Sequence, residues 1–384
     1  MVAGEASGDA LGSHLMAALR ESVPDAEFAG IGGPKMVAGG FDSWFRQEAL
    51  AVRGIAEVVR HYREIKGIRD RLAARLLADP PDLFVGIDAP DFNLGLERRL
   101  KDAGITTVHY VSPTVWAWRS GRMRSIRAAV SHMLVLFPFE EAIYREAGVP
   151  VTFVGHPLAD AIGGDNDRDA MRAQLRLPAE GKIIALLPGS RQSELEYLSD
   201  LFISAAKLIL QGLPECRFLV PLATRETRAL FEAAMYRHQI QDPPFTPLFG
   251  HAQDAIVAAD AVLVASGTAT LEAALLRRPM IVAYRLSPVT YAIARRMVRT
   301  RWIALPNILA GEYLVPEFLQ DDATPANLAQ AMLNLLADEY VLRELPKRFA
   351  AMHRDLKRDA AARAAAALLP LLAAGRPQSI ATPA

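Results

Sequence analysis

The chain has 384 residues, 51% hydrophobic and 22% charged, a length that suits two domains and a composition far from the disordered class. Lys+Arg and Asp+Glu both total 43, so a net charge of zero excludes bulk electrostatic binding of nucleic acid and leaves only local basic patches. The single cysteine, Cys216, excludes an intrachain disulfide and any multi-cysteine metal site, and it fits a reducing, cytoplasmic compartment. The first residues lack the basic-then-apolar pattern of a signal peptide. No run of about 18 uncharged apolar residues offers a membrane span.

In chain order, Met1-Val2-Ala3 is a stub where an α/β half should open on a strand of about five residues. Either the first strand is shortened, through a misassigned start, or three residues suffice. The turn Gly4-Glu5-Ala6-Ser7-Gly8-Asp9 leads into a helix expected over Ala10–Glu21. Backbone N–H groups at such a helix start suit an oxyanion, which makes Glu5, Ser7 and Gly8 candidates. The plain alternative is a βα turn capped by Ser7 or Asp9. Gly30-Ile31-Gly32-Gly33-Pro34-Lys35 resembles a dinucleotide fingerprint only superficially, because the third glycine position holds Lys35. Val52–Leu72 interleaves Arg and Lys with large apolar residues at helical spacing, which reads as a membrane-surface helix or as an ordinary amphipathic one.

Leu83–Ile87, Thr106–Val111, Met133–Phe137 and Val151–Val154 are near-continuous apolar runs, the pattern of parallel strands buried on both faces. The first of them ends in Gly86-Ile87-Asp88-Ala89-Pro90-Asp91-Phe92-Asn93, with a helix expected from Asn93 to Ala103. Open α/β sheets hold their ligands at such strand ends, so Asp88 is a candidate general base. Asp91 or Asn93 is assigned to capping. The next strand carries His109 and leads into Trp116 and Trp118, either an apolar or stacking wall for a sugar or acyl chain, or simple packing. After Gly155-His156-Pro157 the polar run Gly163–Asp169 is the best linker candidate.

The second half repeats the alternation. Ile183–Leu187, Arg217–Val220, Ala261–Val264 and Met280–Ala283 read as strands, and Ser193–Leu210 and Thr268–Leu276 as helices. At Gly189-Ser190-Arg191 a glycine, a hydroxyl and a guanidinium converge on a helix start, which suits a phosphate. Ser190 as a cap with Arg191 in solvent is the alternative. Ser266-Gly267-Thr268 makes a second such start, and Glu272 lies one turn on, placed to accept ribose hydroxyls or to help cap the helix. Tyr284–Asn307 holds Arg285, Arg295, Arg296, Arg299 and Arg301 among apolar residues, a second surface-seeking segment. The tail from Ala360 reads as a helix and frays from Arg376.

Taken together, these strings resemble the lipid-A-disaccharide synthases. AGEASGD (Ala3–Asp9), GIDAPDFN (Gly86–Asn93), HYVSPTVWAWR (His109–Arg119), FVGHPLAD (Phe153–Asp160), LLPGSR (Leu186–Arg191), ASGTATLE (Ala265–Glu272) and LPNILAG (Leu305–Gly311) follow one another in the family's order. The resemblance implies a GT-B fold: two Rossmann-like, doubly wound parallel-sheet domains facing across a cleft. An acceptor- and membrane-facing domain would span 1–162 and a UDP-sugar domain 163–340. Helices over 341–384 would return toward the first domain. It implies inverting transfer from UDP-2,3-diacylglucosamine to 2,3-diacylglucosamine 1-phosphate, with no metal and no cofactor. The alternative is a related GT-B enzyme, a UDP-N-acetylglucosamine epimerase or a peptidoglycan-type N-acetylglucosaminyltransferase. Asp88 would be the base. Gly189, Ser190, Arg191, Ser266, Gly267, Thr268 and Glu272 would hold UDP. Glu5, Ser7, Gly8, His109, Trp116 and Asn307 would lie at the acceptor or cleft. Family members are expected on the inner face of the inner membrane as peripheral proteins, against an anionic surface, with dimers formed through the C-terminal parts.

Overall fold

The computed structural model describes residues 1–50, 55–114, 120–163, 166–240, 244–297 and 300–375. They form two compact units. Unit 1 takes Met1–Asp160 and the chain from Leu356 onward, and unit 2 takes Ala161–Asp355.

In unit 1 the strands are β1 (Val2–Ala3), β2 (Ala29–Gly30), β3 (Asp42–Ser43), β4 (Phe84–Ile87), β5 (Thr107–Tyr110), β6 (His132–Val135) and β7 (Val151–Phe153). The main sheet runs β1-β4-β5-β6-β7, all parallel. The apolar runs therefore form strands as expected, trimmed by a residue or two at their ends. β1 has only two residues, yet it is held from both sides. Val2 and Ala3 pair with Gly86 and Ile87, and the Ala3 N–H donates to the Ile31 carbonyl at 2.9 Å. Side chains alternate between faces. Val85, Ile87, Val108, Tyr110 and Leu134 pack in one core cluster with Leu15, Met16 and Leu19 of the helix Ala6–Ser22. Gly86 and His109 lie in register with Met133 on the opposite face.

The C-terminal helix Ala360–Gly375 completes the first of these clusters with Ala364, Ala365 and Leu368. The segment before it is pinned by the string around Gly155. A Cβ on Gly155, whose φ is +94°, would lie 2.6 Å from Cβ of Arg358, so only glycine allows the approach. The His156 N–H donates to the Leu356 carbonyl at 2.9 Å. The Asp160 carboxylate accepts from the N–H groups of Arg358, Asp359 and Ala360 at 3.0, 2.9 and 2.7 Å. The helix Glu339–Leu356 falls almost wholly in unit 2, and the chain changes units at its last residue.

Unit 2 holds β8 (Ile183–Leu187), β9 (Arg217–Leu222), β10 (Phe245–Phe249), β11 (Ala261–Ala265), β12 (Met280–Tyr284) and β13 (Glu317–Leu319). Its sheet is also all parallel, in the order β10-β9-β8-β11-β12-β13. The order reverses between β8 and β11, because the chain leaves β8 toward β9 and leaves β11 toward β12. That makes the carboxyl ends of β8 and β11 a topological switch point, where such sheets open a ligand crevice. The helix Gln192–Gly212 buries Leu198, Phe202, Ala206 and Ile209 against this sheet, a 3.6-residue spacing that turns one stripe inward.

Candidate active site

In unit 1 the candidate residues collect at the carboxyl ends of β1 and β4. Asp88 and Ala89 follow β4 with φ of +53° and +43°. Two successive non-glycine residues in the left-handed region cost of order 1–2 kcal/mol each, so neighbouring groups must hold the turn. The Asp88 N–H donates to the Tyr110 carbonyl at 2.8 Å, and Asn93 Nδ2 donates to the Asp88 carbonyl at 2.8 Å. Val111 and Thr114, beyond β5, also have positive φ, so strained backbone gathers at this end of the sheet, as it does at functional sites. Gly4 lets the first turn close on the Asp88 turn, since a Cβ there would sit 2.7 Å from Cβ of Ala89. Burial raises the Asp88 pKa. The Ala89 N–H bond and the charge of His109 oppose that rise, and nearby Glu5 adds to it. The group thus sits in the environment of a proton acceptor with more basicity than a free carboxylate.

Several sequence assignments change here. The first helix starts at Ala6 with Glu5 in the cap position, so neither Ser7 nor Asp9 caps it. Ser7 is exposed and Gly8 is buried in the first turn. Asp9 is buried and accepts from the N–H groups of Lys35 and Met36, both at 2.9 Å. It thereby caps the short helix Pro34–Ala38 and occupies the donors that a Gly30–Lys35 phosphate loop would need. The helix Pro90–Asp102 has Ala89 in its cap position with no side-chain cap. Asp91 is exposed and paired with Arg122, while Asn93 is fully buried, so neither has the capping role expected for them. His109 is also fully buried. It lies beneath the Asp88 turn, not on an open surface, and its Nδ1 is 2.7 Å from Glu97 Oε1. Trp116 lies outside the described residues.

In unit 2 the loops after β8 and β11 are neighbours, because Val264 pairs with Leu187. Gly189 has φ of +122°, and a Cβ there would lie 2.4 Å from Oε2 of Glu194. That same oxygen accepts from the Ser190 and Arg191 N–H groups at 2.9 and 3.2 Å. The carboxylate of the helix's own third residue thus sits on the N–H pair that the sequence offers to phosphate, closing a capping box. Arg191 is the cap residue and its side chain is 65% exposed, 3.8 Å from Glu194 Oε1. Ser190 as the cap is thereby corrected. Gly267, with φ of +142°, starts the helix Thr268–Leu275. Ser266 Oγ donates to the Ile303 carbonyl at 3.4 Å, and Thr268 is exposed. Glu272 is half-buried and accepts from Gln253 Nε2 at 2.9 Å. Burial raises its pKa and the Gln253 bond partly offsets this.

Asn307 departs from its expected place beside nucleotide or acceptor. It is fully buried, with Nδ2 donating to the Val315 carbonyl and Glu317 Oε1 at 2.9 and 2.8 Å. Its Oδ1 accepts from the N–H groups of Leu314 and Val315, both at 2.8 Å. All its capacity is spent inside unit 2, where it orients Glu317, which in turn holds the N–H groups of Ile303 and Ala304 at 3.0 and 2.9 Å. The sequence reading also passed over Glu97 and Glu194. Glu97 had a signal: with Asn93 it puts two polar groups, four residues apart, on a helix stripe that Leu100 continues.

The family described as lipid-A-disaccharide synthetase matches residues 1–368. A lipid-A-disaccharide synthase of Aromatoleum aromaticum is 55% identical over 97% of this chain and 95% of its own length. One of Dechloromonas aromatica is 54% identical over 97% and 98%. Among solved structures, the calicheamicin glycosyltransferase CalG4 is similar with a TM-score of 0.59 at 15% identity, covering 99% of this chain and 96% of that one. At that identity the likeness speaks for the fold alone, and that fold is GT-B.

Proposed function

The chain belongs to the lipid-A-disaccharide synthase family, and from that premise we propose how its residues carry the transfer. The reaction is inverting: UDP-2,3-diacylglucosamine donates its sugar to 2,3-diacylglucosamine 1-phosphate, giving the β-1,6-linked lipid A disaccharide 1-phosphate and UDP. An epimerase or peptidoglycan-type transferase would use the same fold, but the near-full-length relatives above favour the synthase. Asp88 takes the proton of the acceptor 6-hydroxyl as its oxygen bonds to the anomeric carbon. The bond from that carbon to the diphosphate breaks, and UDP leaves with the electron pair. Arg191, Ser190 and the N–H groups of the loops at Gly189 and Gly267 meet the charge that develops on the diphosphate. Ser266 and Thr268 line that site and Glu272 accepts from the ribose. Glu5, Ser7 and Gly8 line the acceptor side. The single observation that carries this reading is a carboxylate of raised basicity on a strained turn at the end of β4. Because both substrates are acylated, the enzyme works on the inner face of the inner membrane, docked peripherally on an anionic surface. Mixing the purified protein with the two acylated sugars should yield disaccharide and UDP in equal amounts. UDP release without disaccharide would point to hydrolysis instead, and an isomeric UDP-sugar without UDP release to epimerisation.

A further inference from the structure

The helix Pro90–Asp102 turns Asn93, Glu97 and Leu100 toward the sheet, all of them buried. Two of these three are polar, where apolar side chains would pack at no electrostatic cost. They face Gly86, and the strand leaves room for them. A Cβ at Gly86 would sit 2.1 Å from Glu97 Oε1 and 3.0 Å from Cβ of Asn93. Gly86 pairs in register with His109, whose ring completes the cluster through Nδ1 at 2.7 Å from Glu97. Three further atoms, Asn93 Oδ1, Glu97 Oε2 and His109 Nε2, are buried with no partner among the described residues. Each such atom is a desolvated polar group left unsatisfied, and an apolar pair of similar volume would avoid that cost. A polar cluster kept at this expense, one hydrogen bond from the Asp88 turn, calls for a functional reason.

We infer that Asn93, Glu97 and His109 form a buried positioning device for Asp88, in which Asn93 holds the left-handed turn and Glu97 holds the His109 ring in place on the neighbouring strand. The inference rests on Asp88 being the base. Two charges face Asp88 from its surroundings, Glu5 from the start of the first helix and His109 from β5, with Glu97 behind His109. Glu5 and burial push the carboxyl toward its neutral form. The interaction with His109 opposes that push. These three are positioning residues and touch no substrate.

The test is the titration of the Asp88 carboxyl carbon by NMR in the full-length protein labelled at aspartate, the signal being assigned by its loss in D88N. In H109Q the midpoint should rise by about 1 pH unit, the size expected on losing a nearby opposite charge, and in E97Q, where the ring loses its hydrogen-bond partner, it should move in the same direction. The double variant E97M/H109L replaces the pair by apolar side chains of similar volume, which keeps the fold, and its midpoint should rise equally. The acid limb of kcat/KM should move up by the same amount, which a merely structural role would not produce. An unmoved Asp88 midpoint in folded E97Q or E97M/H109L overturns the inference. Turnover retained in D88N would instead remove the base assignment while leaving the titration result standing, so the two failures are separable.

Discussion

Asp88 combines two demands that conflict in a free side chain, basicity and exposure to an acceptor. Burial supplies the first, and the left-handed turn at the sheet edge supplies the second. Asp88→Ala should therefore lower turnover at least a hundredfold, the usual size of a general-base contribution, while UDP binding stays within a few-fold. Retention of more than about a tenth of the wild-type rate would exclude the assignment. In unit 2, Arg191→Ala should weaken UDP binding and slow the reaction together. Arg191→Lys should restore only part of both, because an ammonium lacks the planar fork, and full recovery would mean that a point charge suffices. Glu194 adds a test of its own. Its carboxylate holds the N–H groups of Ser190 and Arg191, so a diphosphate that uses them must displace it. Glu194→Gln should tighten UDP binding by up to about fivefold, the scale of one exposed charge interaction. Weaker UDP binding in a calorimetric titration would show that the carboxylate shapes the loop for the nucleotide. Asp88 and Arg191 could be picked from the sequence because a strand end and a turn announce them. Glu194 could not, since it reads as an ordinary helix acid until the backbone turn it holds is placed in space, and Glu97 showed only as a polar residue on an apolar helix stripe, its partner His109 on the next strand staying hidden.

At the scale of elements, the buried parallel strands were legible because near-continuous apolar runs fill them. β8 falls on Ile183–Leu187, the five residues that the pattern predicts. Besides the two-residue strands β2 and β3, the strands that escaped are both edges of the unit 2 sheet, β10 and β13. β10 contains Pro247, a residue that argues against a strand but is tolerated at an edge, where one N–H needs no partner. β13 has three half-buried residues and too short a run to show a period. The role of FVGHPLAD was equally hidden: it docks a segment about 200 positions further along the chain. Asp160 satisfies three N–H groups at the start of the C-terminal helix, more than an ordinary cap does. Asp160→Ala should thus lower stability by about 1–2 kcal/mol, at the upper end for a lost cap. Denaturant titration and proteolysis should show the helix Ala360–Gly375 released early. An unchanged midpoint with no new cleavage near Arg358 would mean that Leu368 and its neighbours hold the helix unaided.

For the whole molecule, the proposed membrane docking has to work with a net charge of zero. Among the described residues, no helix is long and apolar enough to cross a membrane. The docking proposed above would rest on local patches, and each unit has a candidate. In unit 1, Arg63 and Lys66 are exposed on the helix Ile55–Ala78, next to half-buried Ile65; Arg60 lies among residues whose side chains are outside the described set. In unit 2, Arg295 and Arg296 are exposed at the end of the helix Pro288–Met297, and the Arg301 guanidinium lies 5.4 Å from the Trp302 ring. Each basic residue near an anionic surface contributes about 1 kcal/mol, so three on one helix give roughly a hundredfold in partitioning. That attraction is screened: between about 0.05 and 0.5 M salt the Debye length shrinks from above about 10 Å to a few ångströms. Co-sedimentation with vesicles rich in anionic lipid should fall steeply across this range, and neutral vesicles should bind little at either end. Replacing Arg60, Arg63 and Lys66 with Glu should reduce binding at low salt at least tenfold while circular dichroism stays unchanged. If the triple variant binds as the wild type does, the first helix is not the docking surface, and the same reversal at Arg295, Arg296 and Arg301 should then abolish binding. Salt-independent binding by all variants would mean that apolar insertion, with Trp302 the first residue to replace, holds the enzyme on the bilayer.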